Sequence, residues 1–96
     1  MPNYIFSPLA QADMDEIWDY TAKNWDIKQA EAYTRELKEA VESLAANPKW
    51  GRSCENVRLG YYKYPVGSHV LFFCLLDKGI DVKRILHERM DFDRHL

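Results

Sequence analysis

The segment HVLFFCLLDKGIDVKRILH, residues 69–87, reads as two strands joined by a tight turn, and it decides what kind of fold the chain can adopt. Its first part, His69 to Leu76, is apolar on both alternating faces, as a central strand covered on each side requires. Asp77-Lys78-Gly79 then marks a hairpin, with the glycine expected to supply a positive φ. From Ile80 to His87 the pattern predicts two faces: Ile80, Val82, Arg84 and Leu86 on one, and Asp81, Lys83, Ile85 and His87 on the other. A lone hairpin is marginal in water, so the remaining residues must cover it.

Working back from His69, Gly67-Ser68 turns the chain and Val57 to Val66 reads as a further strand, rich in Tyr61, Tyr62 and Tyr64. Before it the period is helical. Ala30, Tyr33, Leu37, Val41 and Leu44 make one apolar face, opened by Asp26 and Gln29 at capping-box spacing and stopped at Asn47-Pro48. Glu31 and Arg35 are expected to pair across the opposite face. An earlier helix starts at Ser7-Pro8, a hydroxyl cap followed by proline at the first helical position. Its predicted buried stripe is Ala10, Met14, Ile17, Trp18, Thr21 and Trp25. Tyr4-Ile5-Phe6 supplies a short strand in front.

The order is β-α-α-β-β-β, an α+β fold in which an N-terminal strand and a helical hairpin pack on a small, mostly antiparallel sheet. A chain of 96 residues supports one domain, residues 1–96. The second sheet face is left less covered, and function is sought there.

Composition narrows the classes. No apolar run reaches the length of a membrane span, and Met1-Pro2-Asn3-Tyr4 lacks the flank and core of a signal peptide. Cys54 and Cys74 are far apart, without metal-site spacing, and Cys74 reads as a small buried hydrophobe. These features predict a cytoplasmic protein with no membrane contact. Net charge is −2, yet residues 1–50 carry five basic and nine acidic side chains, and residues 51–96 eight and six. So weak a basic excess argues against direct binding to nucleic acid.

No phosphate-binding loop, nucleophile elbow or zinc signature is present, and neither metal nor cofactor is expected. What remains is a group of cations and imidazoles near the sheet: Arg58, Lys63, His69, His87 and Arg89. Such side chains could bind phosphates and move a proton in phosphodiester cleavage. Taken singly, each is better explained by keeping a sheet edge soluble.

The run VKRILHERMDFDRHL, residues 82–96, resembles the ending of ParE toxins of the RelE/ParE superfamily, a strand running into an H-x-R-M-D-x-x-R-H-L-like tail. Arg58, Tyr62-Lys63-Tyr64 and Val66 to Val70 resemble that family's second and third strands, and Ser7-Pro8, Ala10, Asp13 and Ile17 its entry into the first helix. The resemblance covers essentially the whole chain. It implies the fold read above and the toxin half of a type II toxin–antitoxin pair. The toxin would inhibit DNA gyrase and be held inactive in a hetero-oligomer with a ParD-like antitoxin, whose flexible segment wraps it. The alternatives are a ribosome-dependent mRNA endonuclease of the RelE type, or a non-toxic module that only binds antitoxin.

For the nuclease the resemblance nominates Arg58, His69, His87 and Arg89. That set is incomplete: His69 stands where an arginine is expected, Lys63 is the one basic residue left on its strand, and the tail offers His95 but no tyrosine. Inhibition by protein contact is therefore favoured over enzymatic activity. The target-binding residues would be Arg89, Asp91, Arg94, His95 and Leu96. Trp25 and Trp50 are the candidate antitoxin anchors, while Trp18 and Tyr33 read as core.

Overall fold

The computed structural model describes residues 3–96; Met1 and Pro2, part of the start read as lacking a signal peptide, lie outside the described residues. Strand β1 (Asn3–Phe6) leads into helix α1 (Pro8–Asn24) and helix α2 (Ile27–Ala46). A 3-10 turn over Pro48–Trp50 follows, then β2 (Arg52–Ser53), β3 (Tyr62–Val66), β4 (His69–Leu76), β5 (Gly79–His87) and a short helix α3 (Phe92–His95). The sheet order is β1-β5-β4-β3-β2, with β1 parallel to β5 and the other pairs antiparallel. The β-α-α-β-β-β reading stands, with two small elements added, β2 and α3.

The helix boundaries follow local chemistry. Ser7 Oγ accepts the Ala10 amide at 3.1 Å and donates to the Lys83 carbonyl at 2.8 Å, so one hydroxyl caps α1 and ties it to β5. Asp26 accepts the Gln29 amide at 2.7 Å to open α2, which ends at Ala46 before Asn47. Ala30, Leu37, Val41 and Leu44 are fully buried. The last three, with Ala10, Ile17, Leu71, Phe73, Ile80, Val82 and Ile85, form the main core between helices and sheet. Glu31 and Arg35 do not make the expected pair. Among the described residues the ion pairs are Lys83–Asp81 and Arg84–Asp13.

Four expectations need correction. Trp25 is 67% exposed and does not complete the buried stripe of α1, because it caps the end of the helix. The strand foreseen from Val57 begins only at Tyr62. Cys54 to Tyr61 instead closes a knot of turns, with the Cys54 carbonyl accepting the Val57 and Arg58 amides. Gly79 has no positive φ; a Cβ there would lie 1.6 Å from the Asn3 carbonyl oxygen, so glycine is needed for the close approach of β1. Cys74 is half-buried, not buried, and both thiols are free, burial pushing each above its ordinary value.

A fifth correction governs the site. The β4–β5 register shifts between Phe72, opposite Arg84, and Phe73, opposite Val82, leaving Lys83 as an extra, bulged residue. One extra residue inverts the alternation beyond it. Ile85 therefore joins Ile80 and Val82 in the main core, while Leu86 faces the other way. Continued unbroken from the turn, the pairing would set His69 against Leu86; the bulge sets it against His87.

The second face is covered after all. Cys54, Val70, Phe72 and Leu86 form a smaller core there, closed by Tyr61, Phe92 and Leu96.

Candidate functional site

Two features occupy opposite faces at the end of the sheet where β4 begins and β5 stops. On the helix face, His69 and His87 stand directly opposed, their rings edge to face with centroids 5.3 Å apart. The turn before β4 positions them. Gly67, at φ +57°, lets the chain fold against the Tyr33 ring, where a Cβ would meet that ring at 2.8 Å. The Tyr33 hydroxyl then accepts the Ser68 amide at 3.1 Å and lies 2.6 Å from His69 Nδ1. His87 Nδ1 accepts the Arg89 amide at 3.1 Å. Tyr20, Trp25 and Gln29 complete a cleft of about 290 Å³ at the open end of the helical hairpin. Alongside it runs a groove of about 330 Å³ between α1 and β5, reaching from Asp13 and Glu16 to Met90.

Burial pushes the Tyr33 phenol above its ordinary value, so it keeps its proton at neutral pH. Burial, and then the neighbouring His87, hold His69 below its ordinary 6.5. A histidine whose folded value is depressed adds stability that is complete above the unfolded value and is lost as pH falls through it. The urea midpoint should therefore drop as pH is lowered from about 7.5 to about 5.5, and His69→Gln should flatten that slope. A slope unchanged by His69→Gln would show that other groups carry it.

On the opposite face the tail is strapped to the sheet. Phe92 meets Phe72 edge to face at 4.8 Å, and Leu96 packs on the same small core. Arg84 donates to the His95 carbonyl at 2.9 Å, and Arg58 donates to the Leu96 carbonyl. Arg58 also lies over the Tyr61 ring at 5.5 Å. Arg84 has a second engagement: its Nε and Nη2 donate to Asp13 of α1 at 2.8 and 2.9 Å, while the other lobe of the same clamp is the Ile85 amide, which donates to Asp13 at 2.9 Å. Beyond Val82 strand β5 has no β1 residue beside it, and Ser7 and Asp13 take the place of a strand there.

The nominated residues are thus divided. His69 and His87 meet in the cleft and Arg89 follows through its amide, but Arg58 is committed to the tail on the other face. Lys63 sits opposite Phe72 on that face as well. Of the tail set, Arg89, Asp91, Arg94 and His95 are exposed, whereas Leu96 is turned inward. Asp91 also caps α3 by accepting the Asp93 amide at 3.2 Å. Trp25 lines the cleft, Trp50 is 53% exposed at a distance from it, Trp18 is half-buried, and Tyr33 is half core and half site.

Sequence reasoning missed three participants: Tyr33 as partner of His69, the Asp13–Arg84 clamp, and Tyr20 with Gln29 in the cleft wall. Only the clamp had a legible signal, an arginine amid apolar strand positions. Among the described residues, no group of three or more His, Cys, Asp or Glu could hold a metal ion, and no helix is long and apolar enough to cross a membrane.

Comparison with known proteins agrees with this architecture. The family model described as "ParE toxin of type II toxin-antitoxin system, parDE" matches residues 4–92. The chain is 52% identical over 94 residues to Toxin ParE1 of Mycobacterium tuberculosis, covering 97% of this chain and 96% of that protein. It is 38% identical over 96 residues to Toxin ParE1 of Caulobacter vibrioides, covering 100% and 99%. Among solved structures, a chain of the chromosomal ParDE TA system from P. aeruginosa superposes with a TM-score of 0.78 at 20% identity, over 91% of this chain and 96% of that one, a likeness of fold. Fold, tail and near-full-length identity agree, and the chain belongs to the ParE toxin family of type II toxin–antitoxin systems.

Proposed function

We propose that this toxin inhibits DNA gyrase by direct protein contact and is neutralised in a hetero-oligomer by a ParD-like antitoxin. Family membership supports the partner, and the tail's geometry carries the mode of action. Phe92 and Leu96 pack inward, so that Arg89, Asp91, Arg94 and His95 stand outward on a segment already held in place. A pre-ordered charged surface loses less entropy on meeting a protein target than a free tail would. Leu96 is assigned to supporting that surface and the four polar residues to contact.

The endonuclease reading is weaker. Arg58, the arginine expected to bind phosphate, lies across the sheet from the two imidazoles, so the nominated residues are not brought together as one set.

Deleting the tail would uncover Phe72 and Leu86, and so confuses folding with activity. The cleaner test reverses charge with Arg89→Glu and Arg94→Glu together, leaving Phe92 and Leu96 in place. The expected result is at least a roughly tenfold loss of inhibition in a supercoiling assay, with the melting temperature almost unchanged, because surface substitutions alter stability little. An unaffected gyrase at large excess of wild-type toxin counts against the proposal. Message cleavage in a translation extract would favour the nuclease.

A further inference from the structure

The two imidazoles of the cleft are both committed at Nδ1. A backbone amide can only donate, so the His87 Nδ1 that meets the Arg89 amide carries no proton. At His69 the phenol oxygen of Tyr33 accepts the Ser68 amide and keeps a second lone pair, so its bond to Nδ1 is open to either direction, phenol to Nδ1 or Nδ1–H to phenol. When neutral, the His87 ring therefore carries its proton on Nε2. The cleft is lined by this pair with Gln29, Ser68, Trp25 and Tyr20 among its walls, and its lining includes neither carboxylate nor Lys nor Arg.

That chemistry selects among ligands. A transition metal bound through both Nε2 atoms would need each ring to hold its proton on Nδ1, and the Arg89 amide blocks this at His87. A nucleic-acid backbone would bring several charges to a cleft without cations and past Asp13 and Glu16 in the adjoining groove. A single carboxylate on an otherwise apolar peptide brings one charge, which imidazole donors can meet. Trp25 and Tyr20, with ring centroids 6.5 Å apart, offer its apolar neighbours a wall.

We propose that the His69–His87 cleft receives one aspartate or glutamate side chain of the antitoxin, seated beside Trp25 and Tyr20, and that its arrival draws a proton onto the imidazole pair. This rests on the toxin–antitoxin reading above. In the free toxin the charged or titratable groups around His69 are Tyr33 on α2, Asp13, Glu16 and Tyr20 on α1, and His87 and Glu88 at the end of β5. Asp13 is already paired with Arg84, and burial disfavours the charged form of His69. A carboxylate within hydrogen-bonding distance reverses that balance. Binding then takes up a proton, and affinity rises as pH falls, by up to about tenfold per pH unit for each proton taken up.

The test uses the intact toxin, labelled with 15N in its histidines, and the antitoxin encoded beside it. In the free toxin the neutral His87 ring should show the Nε2–H tautomer. The dissociation constant should tighten by about tenfold or more from about pH 8 to about pH 6. One Asp→Asn or Glu→Gln substitution in the antitoxin should abolish that dependence, as should His69→Gln or His87→Gln in the toxin. An Nδ1–H tautomer at His87 in the free protein overturns the proposal without any variant. So does affinity constant within about twofold over that range, or an RNA oligonucleotide that displaces the antitoxin from the histidines. An antitoxin that binds at no pH sinks the broader reading, whereas tight binding indifferent to pH sinks this proposal alone.

Discussion

Gly79→Ala is expected to unpick the N-terminal strand and to cost at least about 3 kcal/mol, enough to leave a domain of this size only marginally folded. The added Cβ would lie 1.6 Å from the Asn3 carbonyl oxygen, 2.6 Å from its carbonyl carbon and 2.9 Å from its nitrogen. All three are backbone atoms, so no side chain can swing aside to make room. Asn3 pairs with Gly79 at the start of the β1–β5 ladder, and the strands must separate to admit a methyl group. Tyr4 and Phe6 would then lose their packing on the main core. Urea unfolding measures the loss, and amide exchange should rise first along β1. Gly60→Ala is the control: φ is +81° with nothing within 4 Å, so its cost should stay near 1 kcal/mol. Equal losses at the two positions would refute the close-approach account.

Asp13→Ala should be nearly as damaging, at about 2–4 kcal/mol. The Asp13 and Arg84 side chains are only 11% and 17% exposed. Removing the carboxylate strands a largely buried guanidinium and leaves the Ile85 amide without its acceptor. The carboxylate also holds Arg84 in the pose from which it reaches the His95 carbonyl, so the tail should loosen as well. A second substitution, Arg84→Met, made on top of Asp13→Ala, should restore part of the stability, because it removes the unpaired charge. It should not restore protection of the tail, whose strap is gone. Unfolding midpoints with amide exchange at Arg94 and Leu96 separate the two effects. Strictly additive losses would mean that the pair does not act as a clamp.

The division between legible and hidden follows how far each signal reaches along the chain. The caps at Ser7 and Asp26, the stop at Asn47-Pro48 and the apolar face of α2 are local, set by groups a few residues apart, and they stand in the structure where the sequence places them. Trp25 misled because helical spacing carries no information about where a helix ends. Cys54 to Tyr61 misled because apolar and aromatic residues there suit a strand, while their backbone groups find partners in turns.

The candidate site was half legible. The tail was recognisable by its residues, and the histidines were singled out, but nothing local said that they would meet. Their meeting depends on one bulged residue, Lys83, which moves the pairing by a single step over the rest of the hairpin. Bulges answer to the twist and packing of a whole sheet, and here β5 must keep Ile85 in the main core while Ser7 and Asp13 hold its open edge. Tyr33 reaches His69 across 36 residues of sequence, and Arg84 reaches Asp13 across 71.

By itself, then, the sequence determined the order of the main elements, where each helix starts, where the second one stops, the central hairpin and the family, because these rest on local caps, periodicity and a contiguous motif. Only the tertiary structure decided which imidazoles oppose each other, which nitrogen of His87 accepts the Arg89 amide, and which face of the tail is free. Those are properties of side chains from distant segments competing for the same neighbours, and no stretch of the chain contains both parties.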